Sequence, residues 1–231
     1  MSYLGSKAAS GVYQKIIAEM PPHDTYIETH LGSGAVMFHK PPARHSVGID
    51  IESSAFSLTR RRWKDKGLTP PPDIHFHYGD AVSFLEGDFD FATAGRVLIY
   101  ADPPYMPETR TSRARYRHEY TVADHERLLR CLMSLPENVS VILSGYPSQL
   151  YDSTLTGWRT REFQAMTRGG VRTEKIWMNY EEGKAYSHTF AGRDYNDRAR
   201  IKRKAARWRD KFAALPPAER LAIMTALCEV E

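Results

Sequence analysis

Short apolar runs alternate with amphipathic stretches along most of this chain, and glycine, proline or a carboxylate marks nearly every junction. Tyr26-Ile27-Glu28 reads as a short strand that enters a turn, Leu31-Gly32-Ser33-Gly34, which opens a helix over 35–40. His45–Asp50 has the pattern of a second strand and ends in a carboxylate, and 54–63 carries helical periodicity. Ile74–Tyr78 alternates as a third strand, after which Gly79-Asp80 turns into a helix at 81–85. Residues 96–101 form a buried-type strand that runs straight into Asp102-Pro103-Pro104-Tyr105. The stretch 121–135 is amphipathic, with Thr121 and Asp124 spaced as a capping pair. Further strands are expected at 139–143, 158–166 and 175–180. Strands alternating with helices predict an α/β fold on a mostly parallel sheet, in which ligands lie at the carboxyl ends of strands. The loops with unusual residues here all follow strands.

The tail breaks this alternation. Between Arg198 and Arg209 basic residues dominate, and an amphipathic helix is expected over 218–230, with Pro217 and Glu219 suited to its first turn. In a chain of 231 residues we therefore expect one domain over 1–194 and a basic helical extension over 195–231. A net charge of +4 and a pI near 9.0 permit an acidic partner such as nucleic acid without requiring one. The two cysteines, Cys131 and Cys228, are far apart in helix-like stretches, so that neither a disulfide framework nor a metal-ligand spacing can be read. No apolar run reaches the roughly 20 residues that span a bilayer, and the first residues lack the pattern of a signal peptide. The expectation is a cytoplasmic protein with no membrane partner and no metal; the oligomeric state stays open, with a monomer sufficient.

Asp102-Pro103-Pro104-Tyr105 is the most specific local signal. With proline near 5% of average usage, such a pattern arises by chance in on the order of one chain in a few hundred, which weighs against a plain rigid turn. Asp102 and Pro103 each precede a proline and are held towards extended backbone, so their carbonyls are not consumed by helical hydrogen bonds. A carboxylate at Asp102 and the carbonyl of Pro103 make two acceptors, and Tyr105 supplies an aromatic face.

The Glu28 to Gly34 turn lets a ligand approach the backbone closely at Gly32, Ser33 and Gly34, while Glu28 suits a cationic ligand better than a phosphate. Asp50 ends the second strand, where a carboxylate can accept from ribose hydroxyls; capping the following helix is its plainer use. Asp80 divides between an acceptor for an adenine amine and an N-cap. Near the start, Tyr3 and Lys7 are candidates for packing on a ligand and for reaching a carboxylate. After Tyr105 come Arg110, Arg113, Arg115, Tyr116 and Arg117, basic residues interleaved with an aromatic, as in segments that neutralise phosphates and stack on bases.

In this order, the segments resemble the Dam-like, alpha-group adenine N6-methyltransferases, in particular the compact phage and prophage members. The N-terminal Tyr3-Leu4-Gly5-Ser6-Lys7, the glycine loop, the catalytic Asp-Pro-Pro-Tyr, Ile142-Leu143-Ser144-Gly145-Tyr146 and Glu174 to Tyr180 carry the resemblance over nearly the whole chain. It implies a Rossmann-like methyltransferase fold and S-adenosyl-L-methionine as cofactor, contacted by Tyr3, Lys7, Asp50 and Asp102 around a loop of Glu28, Gly32 and Gly34. It also implies methyl transfer to adenine N6 in DNA, with the base flipped out of the duplex. His30 stands where many members have Phe. Only about 20 residues separate Asp80 from Asp102, too few for the recognition domain that larger members insert there. Methylation of adenine in RNA and a non-catalytic nucleic-acid-binding role on the same fold are the alternatives. Methylation of a glutamine amide fits less well, because its motif begins with Asn.

Overall fold

The computed structural model describes residues 7, 11–106, 118–167, 170–182 and 195–228. The chain divides into two compact units, Met1–Ser187 and His188–Glu231.

The first unit is built on a seven-stranded sheet. Its strands are β1 (Thr25–Glu28), β2 (His45–Asp50), β3 (Ile74–Tyr78), β4 (Val97–Ala101), β5 (Val139–Gly145), β6 (Arg159–Thr167) and β7 (Gly170–Met178), in the order β3-β2-β1-β4-β5-β7-β6. The first five pair in parallel; β7 pairs antiparallel with both β5 and β6. β4 lies mid-sheet and is buried on both faces, which explains its continuous apolar run. Ile27, Ile99 and Val141 stand in register on one face, and Tyr26 beside Leu98 on the other.

Helices cover the sheet. α1 (Val12–Ala18) and α2 (Ala35–His39) are short, and α3 (Ser53–Asp65) buries Ala55, Phe56, Thr59 and Trp63. α4 (Ala81–Ser83) continues into a π-helical turn over Phe84–Asp88. α5 (Val122–Met133) buries His125, Leu128, Leu129 and Leu132, the i, i+3, i+4, i+7 stripe of a helix laid on a core. Its capping box is complete: Asp124 N–H donates to Thr121, and the Asp124 carboxylate accepts from Thr121 N–H. α6 (Gln149–Thr154) follows β5. The sequence pattern did not announce α1 or α6; neither exceeds two turns, too short for periodicity to be read. β7 begins five residues before the expected start at 175, because pairing with β6 extends it through residues with no apolar alternation.

The second unit contains α7 (Tyr195–Ala213) and α8 (Pro217–Cys228). α7 has no buried residue, and its Ala, Arg and Lys content suits an exposed helix.

Candidate active site

Four loops at the carboxyl ends of β1, β2, β3 and β4 converge on one cavity of about 470 Å³, within the range of about 300–1,000 Å³ usual for small-molecule sites. The strand order reverses between β1 and β4, and the register sets Glu28 beside Tyr100, one residue short of Ala101 and two short of Asp102. Lys7, Glu28, Gly32, Ser33, Asp50, Asp80, Asp102 and Pro104 all line the cavity. Gly34, Pro103 and Tyr105 stand outside its lining. Tyr3, Arg110, Arg113, Arg115, Tyr116 and Arg117 lie outside the described residues.

Asp102 is held from two sides by one of its oxygens. Lys7 Nζ donates to its Oδ1 at 2.8 Å, and so does Ser144 Oγ at 2.8 Å. Ser144, the penultimate residue of β5, follows Leu143, the register partner of Ala101, and is itself paired with Tyr100 OH at 3.0 Å. Oδ2 takes no hydrogen bond from the described residues, and neither does the Pro103 carbonyl. Asp102 lines the cavity, whereas Pro103 is buried outside its lining.

Tyr105 is not the open stacking face expected of it. Its side chain is only 6% exposed. The Lys7 ammonium sits 4.7 Å from its ring centroid, and Tyr146 meets it edge-on at 4.5 Å. Its hydroxyl accepts from Lys7 Nζ and donates to Glu174 Oε2 at 2.6 Å. Glu174 also lies 3.8 Å from Lys7; burial raises its pKa, against the opposing pull of Lys7 and the Tyr105 hydroxyl. Lys7 therefore lies between two carboxylates and a phenol that are 95 to 167 positions away in sequence.

Glu28 is buried, and its Oε2 accepts from Tyr26 OH and from Met37 N–H, both at 2.9 Å. Burial pushes its pKa up to about 8, with Asp102 adding to the rise. Burial thus favours the protonated form of this carboxyl. The glycine turn is braced by Asp50, whose Oδ2 accepts from Gly32 N–H and whose Oδ1 accepts from Glu52 N–H, each at 2.8 Å. The N-cap of α3 is Glu52, so Asp50 is not the helix cap. Arg62 braces the same turn by donating to the Ser33 carbonyl at 2.6 Å and to Ser33 Oγ at 3.0 Å. Gly34 has φ 58°, and a Cβ there would come within 2.4 Å of Thr59 Oγ1. Its glycine is required by backbone conformation and by the close approach of α3.

Asp80 caps α4, with Ser83 N–H, Ser83 Oγ and Arg127 Nη1 all donating to its Oδ1. Burial alone would raise its pKa, but these bonds outweigh it and lower it, so the group is ionised. Its Oδ2 accepts nothing from the described residues. His30 joins Thr29 Oγ1 and Tyr120 OH, each at 2.8 Å, and burial pushes its pKa down to about 3, so the ring is neutral. A hydrogen-bonded, neutral imidazole fills this part of the loop.

Ser144, Glu174, Arg62 and Arg127 were not singled out as site residues from sequence. Ser144 and Glu174 fall in segments that carried the resemblance, and the only local signal was a polar side chain at an inward-facing strand position. The carboxylates around the cavity far outnumber its single lysine, a lining suited to a ligand bearing positive charge, an amine and hydroxyls. No cluster of His, Cys, Asp or Glu among the described residues can hold a metal ion.

This sheet order, with β7 antiparallel, is the Rossmann-like fold of S-adenosylmethionine-dependent methyltransferases. Among solved structures, SMU.776, provisionally named a methyltransferase and complexed with SAH, matches with a TM-score of 0.53 at 14% identity, over 75% of this chain and 49% of that one. TrmK of M. capricolum, in complex with S-adenosyl-homocysteine, gives 0.48 at 9% identity, over 95% of this chain and 94% of that one. A ribosomal protein L11 methylase from Lactobacillus delbrueckii subsp. bulgaricus gives 0.47 at 18% identity, over 78% and 82%. The latter two scores are too low to add to the likeness, and at such identity what is shared is the fold. No family profile matches the chain, and no curated protein matches it in sequence.

Proposed function

We propose that this protein is an S-adenosyl-L-methionine-dependent methyltransferase acting on the exocyclic N6 amine of adenine in DNA. The observation that carries the reading is the state of Asp102. Lys7 and Ser144 hold Oδ1, and neither Oδ2 nor the Pro103 carbonyl accepts a hydrogen bond from the described residues.

The N6 lone pair is delocalised into the ring, which makes the amine a poor nucleophile. Oδ2 of Asp102 and the carbonyl of Pro103 accept its two hydrogens and draw the nitrogen towards tetrahedral geometry. An ionised carboxylate is the stronger acceptor for this purpose, and the Lys7 ammonium pairs with Asp102 at 2.8 Å. When bound, S-adenosyl-L-methionine would supply the electrophilic methyl group and leave as S-adenosyl-L-homocysteine, and the proton that N6 gives up would pass by way of Asp102 to solvent. In the cavity, Asp50 and Asp80 would accept from ribose hydroxyls and from an adenine amine, and Gly32 and Ser33 would form the turn beside the cofactor. Lys7 and Glu28 hold the end of the cavity next to Asp102. Tyr105, locked by Lys7 and Glu174, fixes the turn that presents Asp102; it is a positioning residue. The target base reaches this site only after leaving the duplex.

The test is incorporation of labelled methyl from S-adenosyl-L-methionine into duplex DNA, RNA and protein in parallel, followed by nucleoside analysis. Label appearing as N6-methyladenine in DNA is the expected result. Label confined to RNA or to protein overturns the substrate assignment, and no label in any of them overturns the activity.

A further inference from the structure

The basic excess of this protein is not spread over its surface. Counted over the sequence, Met1–Ser187 is neutral, with 22 basic and 22 acidic residues, and the whole net charge of +4 belongs to His188–Glu231. Within that unit the excess is concentrated further, since α7 carries eight basic residues against two acidic ones.

Their spacing arranges them. At 3.6 residues per turn, Arg200, Arg203, Lys204, Arg207 and Lys211 fall at i, i+3, i+4, i+7 and i+11, within an arc of roughly 100°. All five are exposed. Arg203, Lys204 and Arg207 have no ion pair among the described residues, whereas Arg200 shares Asp197 at 2.8 Å and Lys211 stands 5.5 Å over the Trp208 ring. At 1.5 Å per residue the stripe is about 16 Å long. Duplex DNA presents one charge per about 1.7 Å of axis, so the stripe faces on the order of ten phosphates with five cations.

We infer that α7 is a base-independent clamp for the phosphodiester backbone of duplex DNA, supplied by the C-terminal unit. The choice of DNA rests on the proposed function. An anionic membrane is the poorer partner. Its binding calls for a broad continuous apolar face, and α7 has only Ile201, Trp208 and Phe212 as large apolar side chains on the arc between its cations, with Arg198, Lys202 and Arg209 beyond them.

The experiment compares two variants of the full chain that remove equal charge. One is Arg203→Gln/Lys204→Gln/Arg207→Gln on the stripe; the other is Arg198→Gln/Lys202→Gln/Arg209→Gln off it. Glutamine keeps helix propensity close to that of lysine and arginine. Affinity for a labelled DNA duplex is followed by anisotropy across salt concentrations. With about 0.9 counterions released per phosphate contact, the stripe variant's slope of log affinity against log salt flattens by about 2.7. Between about 50 and 200 mM salt, wild-type affinity then falls about 40-fold more than that of the stripe variant, while the off-stripe variant stays near wild type. Equal flattening in both variants, or none in the stripe variant, overturns the clamp. So does binding to phosphatidylserine vesicles without binding to duplex DNA. A wild-type protein that methylates DNA while the stripe variant keeps its slope refutes the clamp alone; one that shows the predicted slopes yet methylates no DNA refutes the proposed function alone.

Discussion

The buried carboxyl of Glu28 makes a quantitative prediction about stability. Its side chain is buried at the end of β1 beside the cavity, with Oε2 accepting from Tyr26 OH and Met37 N–H. In the unfolded chain it titrates near its ordinary value of 4.5, and burial moves it to about 8 in the folded protein. Between those values the folded state binds the proton and the unfolded state has lost it. Stability is therefore fully present below about pH 4.5 and is lost as pH rises through about 8, at up to 1.36 kcal/mol per pH unit, on the order of 5 kcal/mol across the window. Glu28→Gln keeps an acceptor for Tyr26 and Met37 and removes the titration. Urea unfolding of both proteins at several pH values, without cofactor, isolates the term. The two should be close near pH 4.5, and the variant should be the more stable by several kcal/mol at pH 8. Parallel stability profiles across the window would falsify the account of Glu28 as a neutral buried acid.

Three further predictions test the site. Asp102→Ala should reduce methyl transfer by about 100- to 1,000-fold or more, the usual cost of losing one preorganised contact, with an unchanged circular-dichroism spectrum; near-normal turnover of the folded variant defeats the mechanism. Asp50→Ala should weaken S-adenosyl-L-methionine binding by about 1.5–3 kcal/mol, the worth of a hydrogen bond to a charged group, and calorimetry showing equal affinity would reduce Asp50 to a brace for the glycine turn. Gly34→Ala forces a side chain into a left-handed backbone position and against Thr59, so it should cost about 2–5 kcal/mol in denaturant unfolding; a loss below about 0.5 kcal/mol would show that α3 yields freely.

Much of this protein follows from local pattern. The apolar run of β4, the alternation of β3, the capping pair Thr121 and Asp124 and the stripe of α5 each express a backbone periodicity or a hydrogen bond within a few residues, so neighbouring positions suffice to read them. The loops after β1, β2, β3 and β4 were also legible, because a parallel sheet forces its strand ends to one edge. Tertiary structure decided what those loops do together. Lys7 meets Asp102 and Glu174 only because β4, β5 and β7 lie side by side, and strand order is set by pairing that no single strand encodes. The antiparallel placement of β7 had the same origin. Burial changed chemistry at two places where residue type pointed elsewhere. Glu28, an acid suited by type to a cation, has its pKa pushed up by burial at the end of β1. Tyr105, an aromatic suited by type to stacking, is instead enclosed by Lys7, Tyr146 and Glu174. A side chain's charge and accessibility depend on what packs around it, and that is fixed by contacts distant in sequence.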